Sequence, residues 1–302
     1  MARTPSTIYN LPSTRLRPLV VIIGETASGK SALAMELAAT IGGEIICADS
    51  RTIYKGMDIG TAKPSPAEQA LVPHHMLDIV APDEPYSAAD FKRDATTKIK
   101  EIRARGHVPI MVGGTGLYVD AVVFDYNFRT KYNQQISSHL QKMPLAELRA
   151  LASSEGFTTL TNSSNRRHLM RVLEFGDLQS DDRSQMIDNV VIIGLKISRT
   201  ELRRRLTVRV EQMFKRGLRK EVEGLAKKYS WEHESLTGIG YREFESFYMD
   251  AISMSKVKRS IIQHSLNYAK RQRTWFKRNP AVVWFDRGDE AKRYILDQLD
   301  RV

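Results

Sequence analysis

Gly24-Glu25-Thr26-Ala27-Ser28-Gly29-Lys30-Ser31 is the segment from which most of this chain can be interpreted. It matches G-x-x-x-x-G-K-[ST] at every fixed position, and it lies between an apolar run, residues 19–23, and a helical pattern, residues 32–40. In that context the pattern forms a phosphate-binding P-loop, because backbone N–H groups and a helix N-terminus converge on one anion. The octet therefore predicts a bound di- or triphosphate, with Lys30 as a mobile charge and Ser31 as a Mg²⁺ ligand.

Strands and helices alternate on both sides of this loop. Residues 44–48 and 108–112 read as further strands, and residues 88–105 read as a helix between them. This alternation predicts an α/β fold, a P-loop NTPase-like parallel sheet flanked by helices. Ligands of such sheets bind beyond the carboxyl ends of the strands. The turns that begin at Gly24, Asp49 and Gly113 each follow a strand, so they are expected to face one crevice.

Composition changes divide the chain into three parts. Residues 1–17 carry three arginines and no acid, which predicts a flexible basic tail. Residues 125–189 are polar and rich in Ser and Asn, and they predict a small helical insertion between the two halves of the core, 18–124 and 190–302. The second half should contain a strand at 190–195, one long helix at 199–228, a last strand at 282–285 and a last helix at 289–299.

The lengths of the apolar runs and the cysteine content indicate in which cellular compartment the protein is expected. No run approaches 18 apolar residues and no apolar leader follows the start, so neither a membrane partner nor a secretory signal is expected. Cys47 is the single cysteine of 302 residues, which excludes a disulfide framework and a thiolate metal cluster. We therefore expect a cytoplasmic protein.

The charge balance indicates a polyanionic partner. The net charge is +11, and residues 256–278 hold eight Lys or Arg and no acid, interleaved with Tyr268, Trp275 and Phe276. Cations for phosphates and rings for unpaired bases favour RNA. A solvated helix face is the alternative interpretation of the same run.

Asp49 is the sharpest catalytic candidate, since a carboxylate beside a P-loop can act as metal ligand, cap or general base. It opens the string Asp49-Ser50-Arg51-Thr52-Ile53-Tyr54-Lys55-Gly56-Met57-Asp58-Ile59-Gly60-Thr61-Ala62-Lys63-Pro64. That string resembles the dimethylallyl (isopentenyl) transferase family, whose members modify adenine, especially in tRNA.

The resemblance recurs along nearly the whole chain. The matching segments are Pro73 to Ile79, Tyr86-Ser87 with Phe91, Gly113-Gly114-Thr115-Gly116-Leu117-Tyr118, Arg171-Val172-Leu173-Glu174, Arg205 with Arg209 and Met213, Gly238 to Glu243, and Arg271 to Phe276. Their order and joint presence make coincidence an inadequate explanation.

The resemblance implies a reaction and a set of roles. The P-loop, an ATP-binding type of motif, would hold dimethylallyl diphosphate with Mg²⁺ as cofactor, using all of Gly24, Glu25, Thr26, Ala27, Ser28, Gly29, Lys30 and Ser31. The acceptor would be N6 of adenosine 37, next to the anticodon of a tRNA bound by a monomeric enzyme. Asp49 would be the general base, Thr115 a catalytic positioning residue and Arg209 a diphosphate ligand. Residues implied in tRNA binding are Asp49, Ser50, Arg51, Thr52, Thr115, Arg167, His168, Leu169, Met170, Arg171, Arg271 and Arg273.

Four residues depart from the family's pattern, and one of them is Arg166, which stands where proline is common. Glu25 stands where proline is usual, and an acid at the loop mouth either repels a diphosphate or points outward without effect. Thr52 replaces a glutamine of the tRNA-contacting stretch, and His168 replaces an arginine. These changes affect the implied tRNA contacts more than the implied chemistry.

Three other functions remain open on the sequence. An adenylate isopentenyltransferase would use free AMP, ADP or ATP as acceptor. A small-molecule kinase would use ATP on the same loop, but it would not explain the string from Asp49 to Pro64. An RNA-binding paralogue with weakened catalysis would be consistent with Glu25 and Thr52.

Overall fold

The computed structural model describes residues 17–128, 139–140, 143–157, 166–175 and 185–301. The predicted basic tail therefore lies outside the described residues, apart from Arg17. The chain divides into two compact units, of which the second comprises Phe124–Met186 and the first comprises the residues on either side. Among the described helices, none combines the length and apolar character needed to cross a bilayer.

The first unit is built on a parallel sheet of six strands in the order β3-β2-β4-β1-β5-β6. The strands are β1 (Leu19–Gly24), β2 (Gly43–Ala48), β3 (His74–His75), β4 (Val108–Gly113), β5 (Val190–Leu195) and β6 (Val283–Phe285). Every residue of β1, β2 and β4 is buried, as expected for strands covered on both faces. The predicted fold class is confirmed.

Helices cover both faces of this sheet, and two of the described helices, α5 (Leu145–Ser154) and α6 (Arg166–Phe175), belong to the second unit. The described α-helices are α1 (Lys30–Ile41), α2 (Pro66–Leu71), α3 (Ala88–Ala104), α4 (Gly116–Val123), α5 (Leu145–Ser154), α6 (Arg166–Phe175), α7 (Arg199–Lys215), α8 (Leu218–Lys228), α9 (Glu245–Tyr248), α10 (Met254–Phe276) and α11 (Gly288–Asp300). Leu33 and Leu37 of α1 pack with Ile295 of α11 against Val20 and Ile22, which share one face of β1. That packing fixes the P-loop between β1 and α1.

The prediction of one helix over residues 199–228 is wrong. The segment forms two helices, α7 and α8, and Gly217 between them has a φ of +100°. A left-handed residue cannot continue a right-handed helix, and glycine adopts that conformation without steric cost. Leu202, Leu206 and Val210 are buried as the helical spacing predicts.

Helix α10 carries the basic run and has two different faces. Val257, Ile261 and Phe276 are buried on one face. Lys256, Arg259, Lys270 and Arg271 are exposed, as are Lys277 and Arg278 directly after the helix ends. The helix therefore presents a row of cations while its opposite face packs on the core.

The second unit has a small apolar core of its own. Leu140, Leu148, Ala152 and Leu169 are buried together. Arg166, the first residue of α6, donates hydrogen bonds to the backbone carbonyls of Leu140 and Met143.

Glu44, at the start of β2, is buried and contacts the side chains of one arginine and two histidines. It accepts hydrogen bonds from Arg105 at 2.7 and 3.0 Å, and it lies 2.6 Å from a ring nitrogen of both His75 and His107. Burial alone raises the pKa of a carboxyl group, but these contacts outweigh it and lower the pKa of Glu44 to about 2.

We expect Glu44→Gln to lower the free energy of unfolding by about 1–3 kcal/mol, since the charge-assisted bonds are lost. The pKa of Glu44 is lower in the folded chain than in the unfolded chain. The ionised carboxylate therefore stabilises the fold at pH values above the unfolded-state pKa, and this stabilisation is lost as the pH falls toward 2. The difference between variant and wild type should therefore be full at pH 7 and shrink below pH about 4. Denaturant titrations at several pH values measure it, and a difference independent of pH would contradict the assignment.

Candidate functional site

The P-loop has the backbone that its sequence predicts. Gly29 precedes α1 with a φ of +104°, and Gly24 has a φ of +145°. A Cβ at Gly24 would lie 2.6 Å from the carbonyl oxygen of Leu195, so no side chain fits there. Lys30 Nζ donates a 2.7 Å hydrogen bond to the Glu25 carbonyl, which holds the ammonium beneath the loop.

Lys30 is buried, and its charge is costly there. Burial first, and the positive Arg209 second, lower the pKa of Lys30 to about 8, while Asp49 and Glu25 act in the opposite direction. An anion placed in the loop would raise the pKa of Lys30, because opposite charge favours the protonated amine. The site is therefore electrostatically prepared for a negatively charged ligand.

The turn after β4 holds both chain neighbours of Asp49. Thr115 N–H donates to the Ala48 carbonyl at 3.2 Å, and Ser50 N–H donates to Thr115 Oγ1 at 3.0 Å. Asp49 Oδ1 in turn accepts a 2.8 Å hydrogen bond from the backbone N–H of Arg51. Asp49 and Thr115 therefore lie in one network at the carboxyl ends of adjacent strands.

Two arginines of α7 reach the same place. Arg209 donates to Thr26 Oγ1 and to the Thr61 carbonyl, both at 3.4 Å, and Arg205 donates to the Ala27 carbonyl at 3.2 Å. Burial lowers the pKa of Arg209 from its usual value, and the nearby Asp49 opposes that change. The i, i+4 spacing of the two arginines places both on the face that covers the P-loop.

A first cavity of about 410 Å³ opens between the P-loop and these groups. Thr26, Ala27, Gly29, Lys30 and Ser31 line it. Other wall residues with polar side chains include Asp49, Thr52, Thr61, His74, Arg205, Arg209, Gln212, Tyr268 and Gln272. Gly24, Glu25 and Ser28 are buried, and they are absent from its described lining.

A second cavity of about 240 Å³ adjoins the first. Its apolar wall includes Leu206, Val210 and Met213 of α7, with Ile239 and Ile261 opposite. Residues common to both cavities are Thr26, Asp49, Thr61, Arg209 and Tyr268. Asp49 therefore stands where two ligand-sized spaces meet.

Neither expectation for the Glu25 side chain is correct. The carboxylate is 4% exposed and forms an ion pair with Arg273 Nε of α10. It therefore points neither into the loop mouth nor outward, and its charge is compensated within the protein. The same pair occupies the guanidinium of Arg273, whose tRNA contact stays a prediction.

Other residues implied in tRNA binding lie in different settings. Arg51 lines the second cavity and donates to the Ser235 carbonyl at 3.5 Å and to Thr237 Oγ1 at 3.4 Å. Thr52 is 6% exposed and lines the first cavity instead. Leu169 is fully buried in the core of the second unit, so its side chain presents no surface to RNA.

The remaining predicted residues lie partly outside the described part of the chain. Arg167, His168 and Arg171 belong to α6, and their side chains lie outside the described residues. Met170 packs against the core of the second unit. Arg271 is exposed, lines the second cavity and places its guanidinium 5.5 Å from the Tyr268 ring centroid.

Two of the three aromatic residues of the basic run pack on the protein itself, whereas Tyr268 lines both cavities. Phe276 is 2% exposed. Trp275 packs on Gly116, where a Cβ would lie 2.3 Å from its ring, and its Nε1 donates to Asp120 at 2.8 Å. Both rings therefore hold α10 against the core, and that part of the RNA interpretation is wrong.

Two polar residues of α10 face the site, and the sequence predicted neither of them there: Tyr268 was named only among the aromatic residues of the basic run, and Gln272 had no assigned role. Tyr268 donates a 3.2 Å hydrogen bond to the Gly114 carbonyl, and burial, followed by Asp49, raises the pKa of Tyr268 to about 12. Gln272 is 4% exposed and bonds both to Thr26 and to Gly114. Their i, i+4 spacing beside the buried Ala269 is a signal that could have identified them.

Close packing at Gly60, in the wall of the second cavity, permits a direct test. A Cβ there would lie 2.5 Å from the fully buried ring of Tyr241, whose hydroxyl donates to Glu221 at 2.7 Å. The Glu221 carboxylate also accepts the N–H groups of residues 58–60 at 2.7–3.0 Å. The loop that carries Thr61 therefore has no room to shift.

We expect Gly60→Ala to displace this loop and to lower the free energy of unfolding by about 1–3 kcal/mol. Gly224→Ala is the matched control, because nothing lies within 4 Å of a Cβ at that helical position. That control should be neutral or stabilising, since alanine favours a helix. Thermal unfolding of both variants checks this, and equal stability of the two would show that the Tyr241 packing is adaptable.

The chain is similar to known proteins over most of its length. The IPP transferase family matches residues 52–279. A tRNA dimethylallyltransferase of Staphylococcus carnosus is 40% identical over 300 residues, which cover 93% of this chain and 95% of that protein. The structure of the tRNA isopentenylpyrophosphate transferase of Bacillus halodurans aligns with a TM-score of 0.73 at 33% identity, covering 95% of this chain and 98% of the other. A eukaryotic dimethylallyltransferase acting on tRNA aligns with a TM-score of 0.70 at 26% identity, over 86% of this chain and 69% of that one. The chain belongs to the IPP transferase family.

Proposed function

We propose that this chain transfers the dimethylallyl group of dimethylallyl diphosphate to N6 of adenosine 37 in tRNA, releasing diphosphate. The observation that carries the proposal is the position of Asp49, Thr26, Thr61, Arg209 and Tyr268 in the walls of two adjoining cavities. A P-loop opens into one of them, and a carboxylate stands at their junction. This arrangement suits a reaction in which two substrates meet beside a proton acceptor. The relatives named above act on tRNA.

The first cavity would hold the diphosphate leaving group. In the reaction the bond from the allylic carbon to the diphosphate oxygen breaks, and its electron pair leaves with the diphosphate. Lys30, Arg205 and Arg209 place three cationic side chains around the loop. Preorganised cations and N–H donors stabilise the charge that develops on a leaving group, so this wall would lower the barrier to ionisation.

Mg²⁺ fits the residues at this position. Ser31 supplies a hydroxyl oxygen, and Asp49 lines the same cavity. Mg²⁺ prefers oxygen ligands and keeps waters or substrate phosphates in its coordination shell, so few protein ligands suffice. Within the described residues no group of three or more His, Cys, Asp or Glu is arranged for a metal. When bound, the ion would add positive charge beside the diphosphate.

Asp49 would take the proton that N6 loses as the N–C bond forms. The exocyclic amine is a weak nucleophile because its lone pair is delocalised into the ring. Removal of its proton in the transition state is worth about 10²–10⁴-fold in rate. The hydrogen bond from Arg51 N–H, together with the Thr115 contacts on both sides of Asp49, would keep the carboxylate at the junction of the cavities.

The second cavity would take the adenine base. Its apolar wall suits a base that has left its stack, as enzymes that modify bases require. The exposed cations of α10 and the net charge of +11 suit the RNA backbone. We propose that one chain suffices for catalysis, because a single chain supplies all of these groups.

Label transfer tests the proposal. Radiolabelled dimethylallyl diphosphate and Mg²⁺ are offered with unmodified tRNA, with the same tRNA carrying guanosine at position 37, and with AMP. We expect label in the first acceptor alone, with affinity that falls steeply as salt rises. Label in AMP alone would make the chain an adenylate isopentenyltransferase. Phosphoryl transfer from ATP without an allylic diphosphate would indicate a kinase.

A further inference from the structure

Gln272 connects two parts of the site that are far apart in the sequence. Its Oε1 accepts a 2.8 Å hydrogen bond from the backbone N–H of Thr26 in the P-loop. Its Nε2 donates a 2.9 Å hydrogen bond to the Gly114 carbonyl in the turn after β4. The side chain is 4% exposed, so both bonds are shielded from water.

The glycine at position 114 leaves room for the Gln272 amide. A Cβ at Gly114 would lie 2.0 Å from Gln272 Nε2, so only glycine admits the amide. Tyr268, one helical turn earlier, donates to the same carbonyl at 3.2 Å. The next residue, Arg273, forms an ion pair with Glu25, which precedes Thr26 in the P-loop. Consecutive residues of α10 therefore hold consecutive residues of the P-loop.

The contacts continue from this turn to Asp49. Thr115 follows Gly114 and bonds both to Ala48 and to Ser50, the two chain neighbours of Asp49. A path of hydrogen bonds, joined by the peptide bond between Gly114 and Thr115, thus runs from the P-loop, through the Gln272 amide, to the backbone on both sides of Asp49.

We propose that Gln272 is a positioning residue that fixes the distance and orientation between the P-loop and Asp49. The inference rests on the proposed function, in which the leaving diphosphate binds at one end of this path and the proton acceptor lies at the other. A transfer reaction needs both within a fraction of an ångström, and a misplacement of about 1 Å can cost about 10²-fold in rate. In this role Gln272 acts through the two groups that it bonds, Thr26 N–H and the Gly114 carbonyl.

Two variants and a control on the same helix test this role. Gln272→Met keeps the length of the side chain and removes both hydrogen bonds. Gln272→Glu keeps the acceptor for Thr26 N–H but, when ionised, offers Gly114 no proton. Gln263→Met changes an exposed glutamine of α10. Single-turnover transfer to tRNA at saturating substrates, tRNA affinity, and amide hydrogen exchange with inorganic diphosphate present are measured for each.

We expect Gln272→Met to lower the single-turnover rate about 10–100-fold and to leave the affinity for tRNA unchanged. The control Gln263→Met should keep the wild-type rate and affinity. Exchange should become faster in the P-loop and in residues 113–116 together. For Gln272→Glu, the rate relative to wild type should rise as pH falls from about 8 to about 6. A buried carboxyl group beside bound phosphate has a raised pKa, and once protonated it can donate to Gly114.

The results test the proposed function and the positioning role of Gln272 separately. Wild-type protein that fails to prenylate tRNA overturns the proposed function, while exchange in the two segments still tests the connection through Gln272. Transfer by wild type with equal rates for Gln272→Met and Gln263→Met overturns the positioning role. A ratio of Gln272→Glu to wild type that stays flat with pH, or exchange that changes in one segment only, also overturns it.

Discussion

Asp49→Asn is expected to reduce the rate of prenyl transfer by about 10²–10⁴-fold, the usual worth of a general base. The amide keeps the oxygen that accepts the Arg51 N–H, so the side chain should keep its orientation. It cannot take a proton from N6 of the adenine. Single-turnover transfer of labelled dimethylallyl diphosphate to tRNA measures the loss.

Two controls separate the base from its surroundings. Asp297→Asn removes an exposed carboxylate on α11 and should leave the rate unchanged. The affinity of Asp49→Asn for tRNA should stay within about twofold, because the lost charge gave the RNA no attraction. A transfer rate near that of wild type would exclude Asp49 as the base.

The sequence predicted the parts of the fold that depend on local patterns. The P-loop is specified by eight consecutive residues, and β1, β2 and β4 are short apolar runs bounded by turn residues. Their carboxyl ends meet because a parallel sheet places them at one edge. The grouping of Lys30, Asp49 and Thr115 follows from that rule alone.

Contacts between distant segments were not predictable in this way. The ion pair of Glu25 is an example, because its partner Arg273 lies 248 residues away along the chain. Gln272 looked like one polar residue within a basic run, since a helix conceals which face will be buried until its neighbours are known. Trp275 and Phe276 were assigned to RNA for the same reason.

Lys30→Met is expected to lower kcat/KM for dimethylallyl diphosphate by about 10²–10³-fold, the cost of losing one preorganised donor to a developing anion. The variant should also unfold at a higher temperature than wild type. At neutral pH the folded chain holds a buried ammonium whose pKa is lowered to about 8, so its charge costs stability that methionine does not. Activity lost while stability is gained cannot result from unfolding.

The pH dependence of wild-type kcat/KM and kcat tests the role of Lys30 independently. In the free enzyme the ammonium loses its proton as pH rises through about 8, so kcat/KM should fall above that pH. A bound diphosphate favours the charged form and raises the pKa of Lys30, so kcat should stay level over the same range. Lys30→Arg should lack the fall in kcat/KM, because a guanidinium keeps its charge. If kcat/KM of the wild type stays level to pH 9.5, or falls equally in Lys30→Arg, another group controls the binding of the diphosphate.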